Sequence, residues 1–295
     1  LNGNNGYPYE YGPEIERPKA LLPLALFLVT ILTTMASGAL QQGADIIADP
    51  YELVKGIPFS ASLILILGTH ELGHFIASRR HGVITTFPTF IPGPPLPPMI
   101  GTFGAVIKIK SPITTKAALV DIGASGPLAG FVVAILVTLW GLSGSTVIPR
   151  NAAEGSLGLG SSLIFQLLSY IAVGPLPATH DVMLNPVAFA GWIGMFVTAM
   201  NLLPLGQLDG GHLVYALIGP MHRAFSIAMI AVLVILGFLA WPGWFVWAGL
   251  ISILGLWHPP IEDQDVPLDS RQRLIAAATI AVFVLTFIPS PFYIV

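Results

Sequence analysis

The chain has 295 residues, 54% hydrophobic and only 9% charged, with a mean hydropathy of +0.80 and a formal net charge of −3. A soluble domain carries about 25% Asp, Glu, Lys and Arg, so this composition cannot cover a water-facing surface and points to a polytopic membrane protein. The charge balance argues against a nucleic-acid partner, which would favour a basic patch, and the absence of cysteine leaves His and carboxylates to hold any metal.

Residues 1–19 form a polar tail rich in Gly, Asn, Pro and Tyr. The tail lacks the basic region, short apolar core and small-residue cleavage site of a secretory signal. A bilayer core about 30 Å thick needs roughly 20 apolar helical residues. In chain order the candidate spans run from about Ala20 to Leu40, Pro58 to Ser78, Ala117 to Leu142 and Pro186 to Leu205. Two more, from about Ala224 to Ala240 and Trp244 to Trp257, form a short hairpin around Trp241-Pro242-Gly243, and the last runs from about Leu274 to Phe292. Ser161 to Val173 is apolar but short and reads as re-entrant or interfacial. The expected fold is an all-α polytopic membrane protein, a bundle of about seven transmembrane helices. Six or eight are also compatible, because Pro-bearing spans blur their boundaries. The segment from Gly82 to Pro112 interrupts the helical pattern. Its Pro-rich first half, Phe87-Pro88 through Pro97-Pro98, rules out a regular helix. Its second half, Gly101 to Lys110, alternates apolar and basic residues near its end. That pattern predicts one or two strands, a small membrane-associated β-segment on the cytoplasmic side.

Lys and Arg in the short loops orient the bundle. Arg17 and Lys19 precede the first span, Arg79 and Arg80 follow the second, and Lys108, Lys110 and Lys116 precede the third. Arg223 precedes the fifth span, and Arg271 and Arg273 the last. Asp45, Asp49, Glu52, Glu154 and Asp181 fall on the other side, with Lys55 and Arg150 as its cations. The N-terminus is therefore expected to be cytoplasmic, and an odd span count puts the C-terminus outside.

The strongest chemical signal is His70-Glu71-Leu72-Gly73-His74 inside the second span. On a helix, residues four apart share a face, so both imidazoles reach one zinc ion, and Glu71 beside them can act as general base on a water. The chain's own His and Glu frequencies give roughly four chance occurrences per thousand such chains. Ionisable groups in a span are costly unless paired, which favours function over a polar packing patch. A catalytic zinc takes three protein ligands. The candidate third ligand is Asp209, in Asn201-Leu-Leu-Pro-Leu-Gly-Gln-Leu-Asp209-Gly-Gly211 at the end of the fourth span. Pro204, Gly206, Gly210 and Gly211 are expected to unwind the helix there and let the carboxylate approach the bundle axis. Spacing alone leaves this reading level with an ordinary helix-ending turn that holds Asp209 in water.

The pair of motifs His70-Glu-x-x-His74 and Asn201-x-x-Pro204-x-x-x-Leu208-Asp209-Gly210 resembles the site-2 protease family of intramembrane zinc metalloproteases, in its archaeal, bacterial and plastid form without a PDZ insertion. Gly101-Thr-Phe-Gly-Ala105 is similar to the family's membrane-associated β-segment. Ser125-Gly-Pro-Leu-Ala-Gly130 is similar to its small-residue helix motif. The resemblance covers Gly68 to His212, about half of the chain. It implies one zinc ion per chain on His70, His74 and Asp209, with Glu71 as the general base. Asn201 is implied to steady the substrate carbonyl or oxyanion, the alternative being an interhelical hydrogen bond. A transmembrane protease domain over residues 20–292, with a catalytic core about 58–212, follows from it. So do single-span or other membrane-protein substrates, a lipid-bilayer setting and a multi-pass location in a prokaryotic cell membrane. The substrate, cleavage site and oligomeric state have no signature in the sequence.

The remaining polar residues receive plainer readings. His212 reads as an interfacial helix start, His81 as part of a cytoplasmic anchor, and Asp121 as a residue reaching the interface. Gly126 and Gly130 have the spacing of close helix packing, and Trp241, Trp244 and Trp247 that of an aromatic belt. The rival function is a membrane zinc transporter using the same His and Asp groups. A transit route should carry polar groups on several spans, whereas here, apart from Asp121, the clear ionisable groups inside spans cluster in the single motif. A non-catalytic relative would be expected to have lost Glu71 or a ligand, and this chain keeps all four residues.

Overall fold

The computed structural model describes residues 20–95, 100–153, 155, 157–256, 258–261, 263 and 265–294. The polar tail with Arg17 and Lys19, Pro97-Pro98, Glu154 and Trp257 lie outside the described residues. The chain is mainly helical. The order begins α1 (Leu21–Gln41), α2 (Ile57–Arg80), β1 (Thr89–Pro92), β2 (Thr102–Val106), α3 (Lys116–Ser143), β3 (Thr146–Pro149) and β4 (Leu157–Leu159). It continues with α4 (Leu163–Val173), β5 (His180–Met183), α5 (Pro186–Asn201), α6 (Asp209–Ile218), α7 (His222–Leu239), α8 (Gly243–Leu254), α9 (Ser270–Thr286) and β6 (Phe292–Ile294).

Local chemistry sets several helix starts. Thr115, Ser162, Asn185 and Asp269 each accept a backbone N–H of the first turn they precede, and Asp269 completes a capping box with Gln272. Such caps satisfy N–H groups that the helix itself leaves open. Pro186 then occupies the first helical position of α5, where its missing N–H does no harm.

Among the described residues, four helical runs are long and apolar enough to cross a membrane: Leu21–Gln41, Pro50–Arg80, Lys116–Ser143 and Asp209–Leu239, the last joining α6 to α7. The chain is thus an integral membrane protein by length and composition. The other expected spans form shorter helices, with 16 residues in α5, 12 in α8 and 17 in α9. Sixteen residues reach about 24 Å at about 1.5 Å each, short of an about 30 Å hydrocarbon core. The expected span from Pro186 to Leu205 stops at Asn201 because the Pro204–Gly206 turn takes over.

The core is built from α2, α3 and α5, which pack against one another. Phe59, Leu63 and Ile66 of α2 bury against Ala134 and Val137 of α3 and against Trp192 and Ile193 of α5. Trp244 is also fully buried, stacked on Phe287 and donating its indole N–H to the Pro289 carbonyl at 2.7 Å. It anchors α8 to the end of α9 and is not part of an aromatic belt.

Strands β1 and β2 pair antiparallel with an irregular step between Phe90 and Pro92. The hairpin is tied to α1 by the Thr33 hydroxyl, which donates to the Gly101 carbonyl at 2.7 Å, and by the Phe27–Phe90 ring contact at 5.0 Å. Two further short ladders, β3 with β5 and β4 with β6, join loops beyond the C-terminal end of α3.

Candidate metal centre

His70 and His74 stand one turn apart on the face of α2 that meets α3. Two helices in contact leave no room for imidazoles between them unless the opposing surface is bare, and here it is. A Cβ at Gly126 would overlap the His74 ring, and one at Gly130 would meet His70 Cβ at 3.1 Å. The small-residue spacing of α3 therefore gives close packing and also houses the two rings. His74 Nδ1–H donates to the Ile122 carbonyl at 2.8 Å. That bond fixes the tautomer and leaves the Nε2 lone pair for the group it shares with His70 and Asp209.

Asp209 arrives by a tight turn. Helix α5 ends at Asn201 and α6 begins at Asp209. Between them Gly206 adopts φ +54°, where a Cβ would also lie 2.5 Å from the Gly255 carbonyl oxygen. Gly210 and Gly211 do not unwind the chain, as the sequence led us to expect. They are helical, and their missing side chains let the first turn of α6 press onto the Leu202 and Gly206 carbonyls. Asp209 Oδ2 then lies 3.3 Å from His70 Nε2 and 3.2 Å from His74 Nε2, and the two Nε2 atoms are 3.1 Å apart.

These separations test whether a metal fits. Donors bound tetrahedrally to zinc at about 2.0–2.1 Å sit about 3.3 Å from one another. The three observed edges match, and two imidazoles with one carboxylate make a donor set that suits zinc. Among the described residues this is the one group of three or more metal-binding side chains converging in this way.

A cavity of about 230 Å³ opens at this group. Glu71, the neighbour of His70 around the helix, is buried, lines the cavity and has no hydrogen-bond partner among the described residues. Asn201 ends α5 with its Nδ2 3.2 Å from His70 Nε2. Ala105, Val106 and Ile107, from the end of β2 onward, form another part of the wall. The structure thus brings His70, Glu71, His74, Asn201 and Asp209 together around one space.

One plainer reading changes. His212 is not an interfacial residue: it lines the same cavity, with Nδ1 2.7 Å from His258 Nε2. His258 had drawn no notice, since its only signal is a histidine in a Pro-rich loop. Asp121 and His81 pair at 2.9 Å, and Arg271 joins the same carboxylate oxygen at 3.1 Å, which ties together α2, α3 and α9.

Fold and site define a helical membrane protein with, among the described residues, one converging group that could hold a metal ion. A family model described as peptidase family M50 matches residues 58–240. The chain belongs to that family, the site-2 proteases that its motifs resemble. It is 28% identical to Probable zinc metalloprotease EGY2, chloroplastic, of Arabidopsis thaliana, over 90% of this chain and 48% of that protein. It is 36% identical to Probable zinc metalloprotease EGY1, chloroplastic, of the same plant, over 55% of this chain and 30% of that one. The chain spans about half the length or less of these curated relatives. No solved structure matches it.

Proposed function

We propose that this chain is a zinc metalloprotease that hydrolyses peptide bonds within or next to the transmembrane segments of membrane proteins. The observation that carries this is the convergence of two imidazoles, one carboxylate and a free Glu71 carboxylate on a single cavity between apolar helices. His70, His74 and Asp209 would hold one zinc ion, which when bound supplies Lewis acidity toward a carbonyl and acidifies water. Glu71 accepts the proton of the attacking water and returns it to the departing amine nitrogen, so acid and base are one group. The Asn201 amide donates to the carbonyl oxygen as negative charge develops there. A helical substrate must unwind to enter, and the β2 edge beside the cavity can hold the extended strand by backbone hydrogen bonds.

The finer arrangement belongs to the same proposal. A catalytic core over residues about 58–212, within a membrane domain over 20–292, carries the site, and residues 1–19 form a tail. About seven crossings require α5, α8 and α9 to count despite their length, as helices embedded among longer neighbours. The N-terminal end is cytoplasmic by the distribution of Lys and Arg. The relatives' chloroplastic names lend no support to a prokaryotic cell membrane, which rests on the motif resemblance alone. Substrates are single-span or other membrane proteins in a lipid bilayer, and nucleic acid has no place.

The test is cleavage of a single-span protein with Gly, Asn or Pro in its span, in liposomes bearing the full chain. Such residues lower the cost of unwinding, since Gly and Pro disfavour helix by about 1 and 3 kcal/mol relative to Ala. Phenanthroline should stop the cut and added zinc restore it. Intact substrates, together with zinc crossing the same liposomes, would replace this reading with the transporter.

A further inference from the structure

His212 sits in the active-site cavity, takes no part in the metal group, and has one ring nitrogen committed elsewhere. The commitment can be followed atom by atom. The Pro259 carbonyl can only accept, so the 2.7 Å contact to His258 Nδ1 puts the proton on that nitrogen. Burial pushes the His258 imidazole below its ordinary value, against the pull of the Pro259 carbonyl, which favours the neutral ring. Its Nε2 then carries a lone pair. The 2.7 Å contact between His212 Nδ1 and His258 Nε2 therefore requires His212 to donate from Nδ1. In neutral His212 the remaining nitrogen, Nε2, is a hydrogen-bond acceptor. It has no protein partner among the described residues and is not sealed off from the cavity.

The relay is held rigidly. His258 stacks on buried Tyr215 with ring centroids 4.4 Å apart and planes 22° apart. His212 packs its Cβ against the bare surface of α3 at Gly123. A fixed tautomer on a fixed ring presents a lone pair, not an N–H, to whatever enters.

An unwound peptide brings two kinds of backbone group into this space, and the cavity must satisfy both. Asn201 offers a donor for the carbonyl, and Glu71 is occupied with protons in transit. The β2 edge can serve N–H groups along the extended strand, which leaves the N–H beside the bond being cut in need of an acceptor inside the cavity. We infer that His212 binds the substrate backbone: its Nε2 accepts a hydrogen bond from a peptide N–H next to the bond being cut, while His258 holds the ring in the required tautomer. This rests on the protease reading above.

The experiment uses the full chain in liposomes and a synthetic single-span peptide with Gly and Asn in the middle of its span. In a set of variants of that peptide, each backbone N–H around the cleavage site is replaced in turn by an ester oxygen. With the wild-type chain, one ester position should lower kcat/KM about tenfold, the upper end for one neutral hydrogen bond. His212→Phe should lower kcat/KM on the all-amide peptide by a similar factor, lose nothing further at that ester position, and keep one zinc per chain. His258→Phe, which leaves His212 free to change tautomer, should show a smaller loss at the same position. Equal ester penalties in the wild type and in both variants would overturn the inference. So would a His212→Phe chain that cuts like the wild type, and so would loss of zinc, which would make His212 a ligand. A wild-type chain that leaves the all-amide peptide whole would overturn both this inference and the protease reading, whereas the other failures leave the latter standing.

Discussion

Glu71 and His70 are adjacent in sequence yet answer to different demands, which makes them separable by substitution. Glu71 touches none of the three donors through a hydrogen bond, so Glu71→Gln should keep about one equivalent of zinc while cleavage falls by at least 100-fold, the usual worth of a general base. His70→Ala removes one of three donors and should lose the metal as well. Metal analysis of both purified chains checks the pair, and a Glu71→Gln chain that still cuts would end that assignment. Gly126 offers a subtler test of the packing that houses His74. Gly126→Ala puts a methyl group where the imidazole lies, so the ring or the α2–α3 contact must shift, and zinc affinity should drop. Gly249→Ala on α8 has nothing within 4 Å of the new methyl and should leave zinc content unchanged.

Elements differ in how much of themselves they wrote into the sequence. The two histidines of α2 were legible because helical periodicity alone puts them on one side, whatever surrounds the helix. Asp209 was legible only as a candidate, since no local rule says which way a turn folds. The close approach of Gly206 to Gly255, and of Gly210 to Leu202, is tertiary. His212 misled for the same reason: its flanks look interfacial, and its partner His258 is 46 residues away. Strands β3, β4, β5 and β6 have three or four residues each and no alternation to read. The pattern pointed to a strand within Gly101–Lys110, where β2 lies, but its partner β1 in the Pro-rich half and the attachment to α1 were not anticipated. That attachment makes a prediction. Gly101 has φ +80°, and a Cβ there would overlap the Thr33 carbonyl. Gly101→Ala should therefore push the hairpin off α1, and with it the strand wall of the cavity, at a backbone cost of about 1–2 kcal/mol. Cleavage should fall while zinc content holds, a split measurable by assaying both on one preparation. Thr33→Val removes only the hydroxyl bond, worth about 1 kcal/mol, and should show a weaker form of the same split.

At the scale of the molecule, charge is sorted by end. Asp121 binds His81, just after α2, and Arg271, in the first turn of α9, so the C-terminal end of α2 meets the N-terminal ends of α3 and α9. Arg79, Arg80, Lys116 and Arg273 flank this junction in the chain. The opposite ends of α2 and α3 carry the acidic loops, where Arg150 lies 3.9 Å from Asp181. The Asp121 junction itself should contribute little to stability, because Arg271 is largely exposed and solvent-facing ion pairs give about 0–1 kcal/mol. Its value is as a marker of which ends share a side. The metal group lies near the basic end, since five residues from His74 to Arg79 rise only about 7.5 Å. Helix α3 has 28 residues, about 42 Å at about 1.5 Å per residue, enough to cross an about 30 Å core with its ends in water. Lys110 lies before its start and Ala152 beyond its end, and both are exposed. In a chain without native cysteine, Lys110→Cys and Ala152→Cys give single labelling sites with no competing thiol. A membrane-impermeant maleimide applied to sealed, oriented vesicles should reach Lys110→Cys from the cytoplasmic face only and Ala152→Cys from the other face only. Labelling of both from one face would mean that α3 does not cross, and the bundle would have to be redrawn. Labelling from the two faces in the reverse order would keep the crossing, invert the bundle, and put the metal site near the outer surface.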